Sequence, residues 1–150
     1  MKKIFIILSV VFTLNSCTND VEFNDASFQG LKDNLTWRAI DTRVSLNADG
    51  SMTVEAFTEF EVVTFRVSSA TVGTRTFGIN NNNRASYAIN IDNVENFYTT
   101  GTNLGSGELK ITESPLVTGK LSGTFKFRAL DENGEDVSIT FGKIYSIPIQ

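Results

Sequence analysis

The side chains of this chain that could do chemistry are carboxylates: Glu55, Glu59, Glu61 and Glu108, and a cluster running from Asp131 through Asn133 and Glu135 to Asp136. Two acids converging within about 5 to 10 Å in a cleft would suit glycoside hydrolysis, one protonating the leaving group while the other activates water or attacks the sugar. Asp131, Asn133, Glu135 and Asp136 also carry oxygens of the kind calcium takes, although their spacing is not that of an EF-hand loop with its distant bidentate glutamate. Against both stands the plain expectation that acids at alternating and turn positions are solvated surface charges. There is no histidine and a single cysteine, Cys17, so Ser-His-Asp and Cys-His nucleophiles are excluded, as are zinc sites built on His or Cys. No catalytic residue, cofactor or metal is expected, and the chain reads as a non-enzyme.

Other polar features point the same way. Asn80-Asn81-Asn82-Asn83 reads as a polar inter-strand loop before it reads as a sugar-contacting one, and Gly101, Gly105 and Gly107 precede a strand rather than the helix a phosphate loop requires. Trp37, the only tryptophan, lies within an alternating stretch and is expected to plug the core or its edge rather than to stack on a sugar. Gly119 and Gly123 share the parity of Leu121 and Phe125, which predicts that they leave room for a large ring, Trp37 among the choices, or permit a bend.

The elements that must position these residues are strands. From Phe28 onward apolar residues alternate with polar ones, and no stretch shows helical period. Ile40, Thr42, Val44 and Leu46 alternate toward one face, Asn47-Ala48-Asp49-Gly50 makes a turn, and Met52, Val54 and Ala56 continue on the return strand. Leu121, Phe125, Phe127 and Ala129, then Val137, Ile139 and Phe141, repeat the pattern across Asn133-Gly134, whose residue types suit the left-handed φ values of a tight hairpin. The final stretch from Ile144 to Ile149 could form an edge, and Pro148 within it suits an edge or a strand terminus. Roughly nine or ten short strands without crossover helices predict an all-β antiparallel sandwich, with a lipocalin-like β-barrel as the alternative. The 12 phenylalanines supply the bulk to fill a sandwich core, whereas a roomy barrel could carry an apolar ligand.

The first residues carry the strongest signal of location. Lys2 and Lys3 precede an apolar run from Ile4 to Leu14 that ends in Leu14-Asn15-Ser16-Cys17. That run is too short to cross a hydrocarbon core, which needs about 20 helical residues. A basic start, a short apolar stretch and a small residue before the cut are what export machinery and a signal peptidase read. The expectation is a lipoprotein signal peptide over residues 1–16, with Cys17 accepting a diacylglyceryl group on sulfur and a further acyl chain on its new amino terminus. With its one thiol acylated, the domain would have no disulfide.

Residues 17–27, among them Asp20, Glu22 and Asp25, read as an acidic flexible tether, and residues 28–150 as a single domain. The net charge of −4 includes the two leader lysines, so the mature chain is more acidic still, which argues against nucleic acid as a partner.

The order from lipobox through Phe28-Gln29, Leu35-Thr36-Trp37-Arg38-Ala39, Leu121-Ser122-Gly123-Thr124-Phe125-Lys126-Phe127 and Val137-Ser138-Ile139-Thr140-Phe141-Gly142-Lys143-Ile144 resembles a family of Bacteroidota lipoproteins described as a domain of unknown function. The acids just after Cys17 resemble that group's surface-export signal. The resemblance implies lipid anchoring at the outer membrane, on its periplasmic face or at the cell surface, and brings no activity with it. The expected role is a non-catalytic binding module for a protein, glycan or envelope partner, with carriage of a small apolar ligand in a barrel as the alternative.

Overall fold

The computed structural model describes residues 27–92 and 94–150. The expected leader, Cys17 and all but the last residue of the expected tether lie outside the described residues. Alternation becomes pleat: one side of each strand is apolar and must be buried. β1 (Phe28–Lys32) and β2 (Leu35–Arg38) form a hairpin turning on Asp33 and Asn34, whose φ values of 51° and 64° are those of a type I′ turn. β3 (Asp41–Leu46) and β4 (Met52–Phe57) are the hairpin expected around Asp49-Gly50. β5 (Glu61–Val67), β6 (Gly73–Phe77), β7 (Arg84–Ile91), β8 (Val94–Thr99) and β9 (Ser106–Glu113) follow. β10 (Lys120–Leu130) and β11 (Asp136–Pro148) make the long hairpin expected across Asn133-Gly134, where Gly134 adopts φ 84°.

The 11 strands form one sheet in the order β2-β1-β11-β10-β8-β7-β5-β4-β3, with β6 pairing β9 and β9 pairing β10. The count exceeds the expected nine or ten. A one-turn helix, α1 (Pro115–Thr118), joins β9 to β10, capped by Ser114 and closed by Gly119 at φ 74°. It is too short for periodicity to reveal, and it makes Gly119 a helix terminator rather than an inward strand residue.

The sheet is antiparallel and curls into a half-barrel, an architecture between the two expected forms. The edge strand β3 is tied to the chain just past β11, where Val44 bridges Ile149 and the Gln150 N–H donates to the Val44 carbonyl at 2.9 Å. The interior is filled by aromatic rings: Phe28 lies 4.6 Å from Phe125, and Phe65 lies 5.0 Å from Phe125, 5.5 Å from Phe77 and 5.8 Å from both Phe28 and Phe127. Val54, Val63, Leu109, Ile111 and Ile139 complete this core.

Three expectations of face and edge are corrected. β11 is no edge strand, because it lies between β1 and β10. Pro148 is its last residue, opposite Lys120, at the strand terminus expected of it as one alternative. Phe141 does not continue the inward set of Val137 and Ile139: a bulge between the pairs Phe125↔Gly142 and Phe127↔Ile139 puts it at φ 50° and turns its ring to solvent. One extra residue reverses the parity of everything beyond it. A second bulge, with Ser146 at φ 52°, restores the parity that buries Ile147. Ile40 is exposed because β3 begins at Asp41, the Ile40 N–H turning instead to the Phe57 carbonyl.

Candidate functional site

Glu61 opens β5 on the same parity as the buried Val63, Phe65 and Val67, so its carboxylate points under the curl instead of into water. Lys32, at the end of β1, shares the inward parity of Phe28 and Gly30. Lys32 and Glu61 form an ion pair with side chains only 24% and 13% exposed. The Trp37 indole N–H donates to the second Glu61 oxygen, and the Tyr87 hydroxyl of β7 donates to the first. Lys32 also donates to the Tyr87 oxygen at 2.8 Å and lies 5.0 Å from that ring's centre. The group therefore pins the β1–β2 hairpin to β5 and β7, strands that are not its neighbours in the sheet.

Charge and burial agree with this geometry. Burial pushes the Glu61 carboxyl up, but hydrogen bonds from Lys32, Tyr87 and Trp37 and the Lys32 charge outweigh it and hold the carboxyl below its usual range. The Tyr87 phenol is pushed well above its usual value, by burial first and by the Glu61 carboxylate next. Four side chains with their polar atoms mutually satisfied make a structural clasp. Among the described residues no buried side-chain nitrogen or oxygen lacks a partner.

Trp37 is 4% exposed and packs edge-on against Phe28 at 5.9 Å, as a core-edge plug should. Its partners are Phe28 and Glu61 rather than the expected glycine. What Gly123 accommodates is backbone: a Cβ there would fall 2.3 Å from the Lys110 carbonyl oxygen of β9.

The remaining acids have separate surroundings. Glu55 lies on the outer face of β4 opposite Arg43 and Thr64, Glu59 is exposed in the β4–β5 turn, and Glu108 pairs with Lys126 at 3.3 Å. Asp131 accepts the N–H groups of Asn133 and Glu135 at 2.9 and 2.7 Å, and Asp136 pairs with Arg128 at 2.8 Å. That is the chemistry of a self-bonded turn, and among the described residues no three acids gather as a metal site would require. In the tetra-asparagine loop, Asn80, Asn81 and Asn83 accept the backbone N–H groups of Asn82, Thr102 and Ser68, so the run ties neighbouring loops together.

Sequence reasoning missed the clasp, although parity held the signal: Glu61 and Lys32 both interrupt inward-facing sets. It also missed an open strand edge. β8 pairs with β7 along its whole length but with β10 only at Thr99↔Leu130. Since the Thr100 N–H bonds to Ala85 across the β7 side, alternation turns the N–H and C=O of Glu95 and Phe97 away from β7. They face a cleft of about 480 Å³ lined by Phe97, Leu104 and Leu130 and by the acids Glu95, Asp131 and Glu132. Phe97 is 53% exposed. Among the described residues no helix is long and apolar enough to cross a membrane.

A curled antiparallel sheet with a ring-filled interior and a polar clasp defines an all-β domain. Its sequence belongs to a family described as a domain of unknown function (DUF6252), whose model matches residues 24–148. No curated protein and no solved structure matches the chain.

Proposed function

We propose that this protein is a lipoprotein of the outer membrane, held by lipid on Cys17, whose β-domain is a non-catalytic module that binds a protein, glycan or envelope partner at its surface. The observation that carries the binding reading is the unpaired edge of β8. Main-chain donors and acceptors of Glu95 and Phe97 border a cleft with an exposed ring, the arrangement that receives an added strand. Phenyl rings occupy the interior that a carrier would need, which favours surface recognition over transport of an apolar ligand. The dispersed acids support a non-catalytic role, and the Leu14-Asn15-Ser16-Cys17 stretch with its basic start supports the anchor.

Protease shaving of intact cells expressing wild type and Cys17→Ala tests the anchor: wild type is expected in the membrane fraction and the variant released, and retention of the variant refutes it. Photo-crosslinking from position 97, with position 53 on the outer face of β4 as control, tests the edge. A discrete adduct specific to position 97 is expected, and equal labelling from both positions counts against the binding reading.

A further inference from the structure

Five strand pairings place Thr74, Lys110, Thr124, Lys143, Gln29 and Arg38 side by side in a single row across β6, β9, β10, β11, β1 and β2. All project to the outer face, since the residues flanking them, such as Leu109, Gly123, Ile144, Phe28 and Trp37, are buried. The row holds three cations and no acid in a chain of net charge −4. Among the described residues none of Lys110, Lys143 and Arg38 has an acidic partner within ion-pair distance. With strands about 4.8 Å apart, such a row is about 24 Å long.

Two aromatic rings stand on the same face beside it. Phe141, 80% exposed, and Tyr145, 73% exposed, flank Lys143 on β11. Phe141 borders a shallow depression of about 510 Å³ together with Thr124, Lys143, and Lys126 in its ion pair with Glu108. Its φ of 50° is a left-handed conformation that a bulky residue adopts only at a cost in energy. The bulge between β10 and β11 sets that backbone, and it leaves a bulky phenyl ring turned to solvent on this face.

The third observation is where the chain leaves this face. The Tyr145 N–H donates to the Ser27 carbonyl at 2.8 Å, so the segment leading back to Cys17 departs next to Tyr145. Ten residues of extended chain reach at most about 35 Å, which keeps this face within reach of any bilayer that holds an acyl chain on Cys17.

We infer that the outer face of β9, β10, β11, β1 and β2 docks on an anionic lipid surface, with Lys110, Lys143 and Arg38 over the headgroups and Phe141 and Tyr145 in the interfacial layer. Cations near an anionic leaflet and aromatic rings at the headgroup level are the chemistry that surface selects. The inference rests on the lipid-anchor reading for its geometry. It leaves the β8 edge, with its acidic cleft, free for the partner.

The test uses the full chain, purified from membranes and reconstituted in vesicles of phosphatidylcholine alone or with about one-third phosphatidylglycerol. Cys17 is the only thiol, so once acylated it leaves a newly introduced cysteine as the sole labelling site. An environment-sensitive fluorophore is placed at Tyr145→Cys, and at Thr53→Cys on the far wall as control. Position 145 is expected to shift to the blue and to be quenched by brominated lipid in the anionic vesicles alone, with position 53 unchanged and the effect reversed at high salt. Replacing Lys110, Lys143 and Arg38 with glutamine is expected to lower the docking equilibrium constant by about fivefold per cation removed, with an unaltered melting temperature showing that the fold is intact. Equal signals at the two positions, indifference to anionic lipid, or tighter binding of heparin than of vesicles would overturn the inference. Mass analysis of Cys17 separates the two readings. An unacylated cysteine removes the anchor, while the same labels placed in a Cys17→Ser background still report whether the face binds anionic vesicles added to the solution.

Discussion

Replacing Glu61 with alanine would take the acceptor from three donors at once. Trp37, 4% exposed, has no other acceptor for its indole N–H, and a buried donor left unpaired costs about 1–3 kcal/mol. The Lys32 side chain is 24% exposed and keeps its 2.8 Å bond to Tyr87, so it rehydrates in part. Losing the charge-assisted bonds adds about 1–2 kcal/mol rather than the full penalty of a buried unpaired charge. The expected loss is about 3–4 kcal/mol, and a domain of this size would lose roughly 10–15 °C in melting temperature. Denaturant unfolding followed by Trp37 fluorescence is the assay of choice, because the only tryptophan sits in the clasp and its emission reports the site and the global transition together. A midpoint shift with unchanged slope shows a true stability change. Glu61→Gln keeps one acceptor and should cost about 1–2 kcal/mol, and a cycle with Lys32→Met should show coupling of about 1 kcal/mol or more. A loss below about 1 kcal/mol for Glu61→Ala, or strictly additive Lys32 and Glu61 changes, would refute the clasp.

The same site sets a pH dependence at both ends. Glu61 has its folded pKa depressed, so its contribution is present above the ordinary value of 4.5 and is lost as pH falls through the folded value. Wild type should lose stability on acidification in this window more steeply than Glu61→Gln, measured by chemical denaturation at a series of pH values. Tyr87 has its folded pKa raised, so its contribution is present below the ordinary value of 10.0 and is lost above it, and Tyr87→Phe should flatten the alkaline limb of the same series. Gly123→Ala should destabilise the fold by about 1–3 kcal/mol, since its Cβ would meet the Lys110 carbonyl oxygen at 2.3 Å; an unchanged midpoint would show that β9 can shift. Phe65→Ala, at the centre of the ring cluster, should cost about 3–5 kcal/mol by the same assay. Phe141→Gly should raise stability by up to about 1 kcal/mol by relieving the left-handed backbone, and a decrease would mean that the phenyl ring contributes to the fold.

Local chemistry was enough to read much of this protein. The Asp49-Gly50 and Asn133-Gly134 turns and the alternation of Met52-Val54-Ala56 and Leu121-Phe125-Phe127-Ala129 defined antiparallel hairpins and the faces that fill the core. These signals lie within a few residues of one another, so no knowledge of partners was needed. The expectation of a leader and lipid on Cys17 likewise came from consecutive residues alone.

Tertiary structure decided whatever depends on which strands meet. Parity marks a carboxylate as inward but does not name its partner: Lys32 lies 29 residues from Glu61 and 55 from Tyr87, and only the curl brings β1 against β5 and β7. A bulge is equally silent in sequence. Each strand's alternation looks regular, and the extra residue shows only against its partner's register, which is how Phe141 came to face solvent. Scattered cations became a row by the same route, since Arg38, Lys143 and Lys110 are distant in the chain and adjacent only after five pairings are fixed. Side-chain direction is a property of one strand and can be read from its residues. Register is a relation between strands and is set only when the whole sheet closes over a common core.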